Sequence, residues 1–175
     1  MRFVKDPGIY SRRFFPALAG IGLLLLLSEA AYGQEPPPRP IAVTVTGQGL
    51  SFGAFTLGVA GGTVTISSTG SRSATGDIIL LGLGYSFSTA LYKIVGNPGT
   101  LITLMFGGAV SLPGSNGGSL SLSVNSSNPV SPFVLTVPYP TQTDLNVGGT
   151  LTVGNLLANP PGNYIGSFDI TFVQE

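Results

Sequence analysis

Three aspartates, Asp77, Asp144 and Asp169, are the side chains of this sequence best suited to catalysis. Two carboxylates that met in space could cleave a glycosidic bond, one acting as acid and the other as base or nucleophile. The three are far apart in sequence, however, and each is expected at a strand edge or a turn, where an aspartate normally caps the backbone or faces water. The sequence therefore does not predict a catalytic pair.

Several other kinds of chemistry lack the residues that they need. The 175 residues include no histidine and no cysteine, which excludes Ser-His-Asp catalysis, thiol catalysis, disulfides and metal sites built on these ligands. The segment Gly82-Leu83-Gly84 is not a phosphate loop, because no helix is predicted after it. Asp144-Leu145-Asn146 lacks the acidic ligands of a calcium loop. We therefore expect a protein that is not an enzyme and uses no cofactor or metal.

The first 33 residues have the three zones of a cleavable bacterial signal peptide. Arginines and a lysine dominate residues 1–16, an apolar run follows from Ala17 to Leu27, and small residues come next. Ala31 and Gly33 would occupy positions −3 and −1, with cleavage before Gln34. The apolar run of 11 residues is too short for a transmembrane helix, which needs about 20. We expect the mature protein in the periplasm, on the cell surface or secreted.

The mature part of the chain carries little charge. It has three basic residues and five acidic ones, and the basic residues form no stripe or patch. Nucleic-acid binding and a polybasic membrane contact are therefore not predicted. The sequence also shows no second hydrophobic span, so no membrane anchor is expected in the mature form.

Hydrophobic alternation predicts that the rest of the chain is all-β. A stiff Pro-rich leader over residues 34–40 precedes a single domain at 41–175. In this domain nine or ten short strands alternate with Gly- and Pro-rich turns, which is typical of a sandwich or barrel. We predict a Greek-key, immunoglobulin-like β-sandwich. The same patterns predict turns at Gly61-Gly62 and Gly148-Gly149 and a loop over residues 68–76.

The strands at the two ends of this domain are the candidates for a functional role. Ile41, Val43 and Val45 alternate with small or polar residues and form the candidate donor strand. The candidate assembly strand at the other end alternates in the same way and contains Tyr164, Phe168, Ile170 and Phe172. A strand of this kind can pair within its own sheet or add to the open edge of a neighbouring molecule.

A series of short motifs in a fixed order resembles a known family. The motifs are Ile41-Ala42-Val43-Thr44, Leu50-Ser51-Phe52-Gly53, Gly61-Gly62-Thr63-Val64, Gly96-Asn97-Pro98-Gly99, Gly148-Gly149-Thr150-Leu151 and Pro161-Gly162-Asn163-Tyr164-Ile165-Gly166. Over residues 41–173 they look like the bacterial domain of unknown function numbered 4402. The resemblance implies an exported β-sandwich and supplies no catalytic residues. The chain is also similar to chaperone–usher fimbrial subunits, whose N-terminal extension fills a groove in the next subunit.

These observations are consistent with two hypotheses about function. The first is a non-enzymatic structural or adhesive subunit that assembles by β-strand addition, with other copies of itself or related subunits and a periplasmic chaperone as partners. The second is a self-contained periplasmic or secreted binding domain. A carboxylate enzyme is the least favoured hypothesis.

The two adjacent arginines of the leader allow a test of the export route. Arg12 and Arg13 match part of the twin-arginine pattern, but Pro16 and the five consecutive leucines favour the general secretory route. We expect the double substitution of Arg12 and Arg13 by lysine to leave export unchanged in a fractionation assay. Loss of export would instead indicate export of a folded protein, which is incompatible with strand donation during assembly.

Overall fold

Three ladders of the fold meet at a single strand, Thr143–Val153. The structure, a computed structural model, describes residues 39–175, and over that range it has twelve strands and no helix, hence no helix that could cross a membrane. The strands are β1 (Ala42–Val45), β2 (Ser51–Phe52), β3 (Ala54–Ile66), β4 (Arg72–Leu81), β5 (Phe87–Ser88), β6 (Ala90–Val95), β7 (Leu101–Phe106), β8 (Val110–Pro113), β9 (Ser119–Asn128), β10 (Phe133–Val134), β11 (Thr143–Val153) and β12 (Ile170–Gln174).

The strands form one large sheet and two small ones, and every ladder between them is antiparallel. The large sheet follows the order β1-β6-β11-β3-β4, and β9 adds to β11 and carries β8 on its far side. A three-stranded sheet has the order β10-β7-β12, and β2 pairs with β5. The prediction of an all-β fold is confirmed. The predicted signal peptide, and the predicted leader except for Arg39 and Pro40, lie outside the described residues.

Strand β11 uses both of its edges. Asn146 and Val147 pair with β6 and with β9 at the same time, and Thr150 to Thr152 pair with β3 and with β9. Strands β6 and β3 must therefore follow one another along the same edge of β11, opposite β9. The change of partner falls at Gly148, where the ladder with β9 shifts its register. The large sheet therefore divides into two arms at this point.

Gly148 is needed because the chain is crowded where the sheet divides. A Cβ atom at this position would overlap the carbonyl oxygen of Ile66 and lie 2.7 Å from the hydroxyl of Ser126. The sequence-based prediction of a turn at Gly148-Gly149 is wrong, because both glycines lie inside β11, opposite a β-bulge of β9 in which Asn125 has no partner on β11.

Two further sequence-based expectations fail for a related reason. Gly61 and Gly62 lie within β3, where the register against β4 shifts, and Gly61 has a φ of 76° that suits glycine. The predicted loop over residues 68–76 is shorter, because β4 already begins at Arg72. In β3 and β4 the polar side chains face water and alternate with side chains that are more buried.

One hydrophobic core connects the large sheet to the three-stranded sheet. Its fully buried side chains come from both sheets and include Ile66, Ile94, Ile102, Leu145 and Val147. The opposite face of the large sheet carries hydroxyl groups at alternate positions. Neighbouring strands exchange hydrogen bonds there, between Thr63 and Thr75 at 2.7 Å and between Thr65 and Thr150 at 3.0 Å. This arrangement is β-sandwich-like, with an apolar inner face and a hydroxyl-rich outer face.

Substitution of Gly148, where the large sheet divides, should lower the stability of the fold. We expect Gly148→Ala to lower the free energy of unfolding by roughly 1–3 kcal/mol, because the added methyl group overpacks a site with no room for it. Gly82→Ala is the matched control, since no atom lies within 4 Å of a Cβ there. Urea unfolding would measure both, and equal stabilities for the two variants would contradict this account of β11.

Candidate functional site

The three aspartates considered for chemistry each have a separate local environment. Asp77 accepts a hydrogen bond from the backbone N–H of Ala60 at 3.0 Å, and Asp144 forms a 2.7 Å ion pair with Lys93 on the neighbouring strand. Asp169 acts electrostatically on Tyr92. Among residues 39–175, no group of three or more side chains of metal-ligating type lies together. The geometry therefore draws attention to the strands rather than to these carboxylates.

The candidate donor strand lies at one edge of the large sheet. Strand β1 pairs with β6 of its own chain over four residues, with Val43 opposite Ile94 and Val45 opposite Tyr92. On its other edge β1 has no partner strand in the described part of the chain. Ile41 and Val43 are half-buried, whereas the side chain of Val45 is 73% exposed. This strand is thus short, weakly buried and paired on one side.

The candidate assembly strand is shorter than the alternation in sequence suggests. Ile170 and Phe172 lie in β12, which pairs with β7, whereas Phe168 precedes the strand. Tyr164 lies farther away, where it forms an isolated bridge with Gly114 and donates a hydrogen bond to the carbonyl of Pro160 at 2.6 Å. The structure therefore brings three of these four residues towards β1 and places Tyr164 elsewhere.

Strands β1 and β12 face each other from different sheets, and we call the region between them the β1–β12 seam. At one end the backbone of Ile41 contacts the side chain of Gln174. At the other end Val45 and Phe168 line the same cleft. The two segments therefore run in opposite directions along the seam, as neighbouring antiparallel strands do. Each belongs to a separate sheet, however, and no ladder joins them.

The seam is open at the end that contains Val45. A cleft of about 250 Å³ lies there between the end of β1, the start of β6 and the segment before β12. It is lined by apolar groups of Leu50, Ala90, Leu91 and Phe168 and by backbone at Gly49 and Gly166. A cleft of this size would accept one or two side chains.

The apolar side chains along the seam are incompletely covered. They pack against the core but keep part of their surface exposed, unlike the fully buried residues of β6, β7 and β11. This half-buried set consists of Ile41, Val43, Leu50, Tyr92, Phe168, Ile170 and Phe172. Apolar surface removed from water contributes roughly 25 cal/mol per Å², so a strand that covered this set would be stabilised by it.

A family comparison covers the whole of this structure except its ends. The family described as a domain of unknown function, DUF4402, matches residues 41–173. The chain belongs to this family. The prediction from the ordered glycine motifs is confirmed, and the matched region runs from the residue before β1 to the fourth residue of β12. No curated protein and no solved structure matches this DUF4402 chain.

Sequence reasoning missed Gln174, which is the residue that joins the two ends of the DUF4402 domain. Its side chain hydrogen-bonds with both Arg39 and Ile41, which are more than 130 positions away in sequence. A single polar residue at the end of the last strand carries no pattern that could indicate this contact. Only the three-dimensional placement of β1 beside β12 reveals it.

Tyr92 is the titratable group of the seam. Its ring makes an edge-on contact with that of Phe172, with 5.9 Å between the ring centres. Burial raises the pKa of Tyr92, and the negative charge of Asp169 raises this pKa further. The folded protein therefore disfavours the phenolate more than the unfolded chain does.

This pKa shift predicts a loss of stability at alkaline pH. Because the pKa of Tyr92 is raised on folding, its contribution is complete below the ordinary tyrosine value of about 10 and is lost as the pH rises above it. We expect Tyr92→Phe to reduce the loss of unfolding free energy as the pH rises above about 10. Denaturant unfolding across this range would measure it, with near-neutral pH as the reference. Parallel pH profiles for the two proteins would refute the assignment.

Proposed function

We propose that this protein is an exported, non-enzymatic structural or adhesive subunit that assembles by β-strand addition. Other copies of itself or related subunits are its partners, and a periplasmic chaperone would hold the unassembled form. The observation that carries the proposal is the β1–β12 seam, where two strands, each with one edge unpaired within residues 39–175, border a half-buried apolar surface. Free strand edges pair readily with strands of other molecules.

The proposal includes the finer features expected from the sequence. Residues 1–33 would act as a signal peptide for the general secretory route, and residues 34–40 would form a stiff leader ahead of β1. The sheets would have the Greek-key, immunoglobulin-like arrangement. The low charge of the mature chain and the lack of histidine and cysteine support a role that depends on surfaces rather than on catalysis.

The pairing of β1 with its own β6 suggests how strand addition would occur. A β1 that left its sheet would expose the edge of β6, and β1 of another copy could pair there in the same register. Such an exchange creates no new type of contact, which makes domain swapping a low-cost route to assembly. Strand β1 is suited to exchange because it pairs over four residues on one edge only.

Glycines lie where the chain would have to bend. Gly47 and Gly49 separate β1 from β2, and no atom lies within 4 Å of the position of a Cβ at either of them. The backbone of Gln48 lies between them and pairs with Leu91 at 3.0 Å. A segment of this kind could swing β1 outward with little steric resistance.

Exchange of β1 would join two different surfaces of the molecule. The surface that donates β1 and the surface that receives it are different parts of the molecule, so each contact is heterologous. Heterologous contacts that do not close into a ring continue as an open fibre. A fibre of subunits is the form that a structural or adhesive surface protein would take.

Introduced cysteines would detect exchange without interference, because the natural sequence has no cysteine. Ala42 lies opposite Val95 in the β1–β6 ladder. We expect that Ala42→Cys in one copy and Val95→Cys in another, coexpressed with export to the periplasm, will form a disulfide between the two chains. The bond requires β1 of one copy to lie against β6 of the other, within the short Cα separation that a disulfide allows.

A third variant provides the control for random collision. Thr171 is exposed on β12 and lies on a different sheet from Val95, so Thr171→Cys coexpressed with Val95→Cys should give only background crosslinking. If the first pair crosslinks no more than this control pair, and the wild-type protein stays monomeric with no SDS-resistant ladder, strand exchange does not take place.

The second candidate function is a self-contained binding domain in the periplasm or medium. The in-register pairing of β1 with β6 favours it, because the domain then completes its large sheet without a partner. A persistently monomeric protein in the crosslinking experiment would support this candidate.

A further inference from the structure

One side chain makes the only hydrogen bonds between residues 39–50 and residues 165–175. The Oε1 atom of Gln174 accepts the backbone N–H of Ile41 at 2.8 Å, and its Nε2 atom donates to the backbone carbonyl of Arg39 at 3.0 Å. The backbone of Gln174 belongs to β12, where it pairs with Ile102. The residue thus connects the three-stranded sheet to the segment that leads into β1.

The amide of Gln174 takes the place of a neighbouring strand. A carboxamide offers the same donor and acceptor as a peptide group, and here it satisfies a carbonyl and an N–H two residues apart. These are groups that a paired strand would otherwise satisfy. The edge before β1 is therefore closed by a side chain, which can leave without moving the backbone of β12.

The other contact of Arg39 is less directional than these hydrogen bonds. Its guanidinium lies over the ring of Tyr139 at 4.4 Å. This contact does not fix the position of the backbone, since a cation can slide over an aromatic ring. The bonds made by Gln174 are the directional ones at the closed end of the seam.

We propose that Gln174 is a latch that holds β1 in its own sheet and so controls the release of this strand for exchange. This inference rests on the proposed function for its consequence in assembly, but the latch itself can be tested in the monomer. Loss of both hydrogen bonds would let the segment at residues 39–41 move away, and β1 would then open from the end where Ile41 lies. Retention of a single bond should have an intermediate effect.

Hydrogen–deuterium exchange of the mature protein would test the latch. We expect Gln174→Leu, which keeps the bulk of the side chain and removes both bonds, to speed exchange of the β1 amides that pair with β6 by about tenfold or more. Gln174→Glu should have a smaller effect, because its carboxylate still accepts from Ile41 but cannot donate to Arg39. These β1 amides do not touch Gln174, so faster exchange there reports opening of the strand rather than a local loss.

Thr171→Ala is the matched control on the same strand, because Thr171 is exposed and makes no hydrogen bond to the β1 segment. It should leave β1 exchange unchanged. Exchange in β1 that is as slow in Gln174→Leu as in the control would overturn the latch. The rate of SDS-resistant ladder formation in the same variants is a separate measurement. Faster β1 exchange with no ladder in any variant would support the latch and count against the proposed function.

Discussion

The fold depends on β11, which must serve two partners along one edge while it keeps a third on the other. Strands β6 and β3 are both antiparallel to β11 and follow one another along this edge. The change of partner coincides with a register shift on the other edge, where β9 has one extra residue, Asn125, between the partners of Gly148 and Gly149. The absence of a side chain at Gly148 allows the carbonyl of Ile66 to come close. The part of the large sheet that contains β6 and the part that contains β3 meet at this point.

The position of β6 in turn determines where β1 lies and why the seam exists. Strand β6 extends one arm of the divided sheet, and β1 forms the outer edge of that arm. Strand β12 belongs to the three-stranded sheet, and its Gln174 side chain hydrogen-bonds to the residues that lead into β1. The core is fully buried near β11 and only half-buried at the seam, so the domain is packed more firmly at its centre than where its two end strands meet.

The sequence was sufficient to predict the features that depend on local patterns. The all-β class follows from alternating apolar residues, strands such as β6 and β7 from apolar runs between turn signals, and the family from the order of the glycine motifs. The errors came from glycine, because a pair such as Gly61-Gly62 has the same local signature in a turn and in a bulge inside a long strand. The first half of β4, before Asp77, was predicted as a loop because its outward residues are serine and threonine. Contacts across the seam could not be predicted, since Gln174 and Ile41 are related only through the packing of two sheets.

The hydroxyl-rich outer face of the large sheet affects how molecules of this protein meet in solution. Threonine and serine side chains there bond to each other across strands, and only 8% of the whole sequence is charged. Encounters between copies are therefore hardly subject to Debye screening, which weakens attraction and repulsion between exposed charges over roughly 8–10 Å in ordinary buffers. The hydration of neutral groups then has more influence than charge on how copies of the protein interact. Contacts made through such a surface should therefore depend little on the ionic strength.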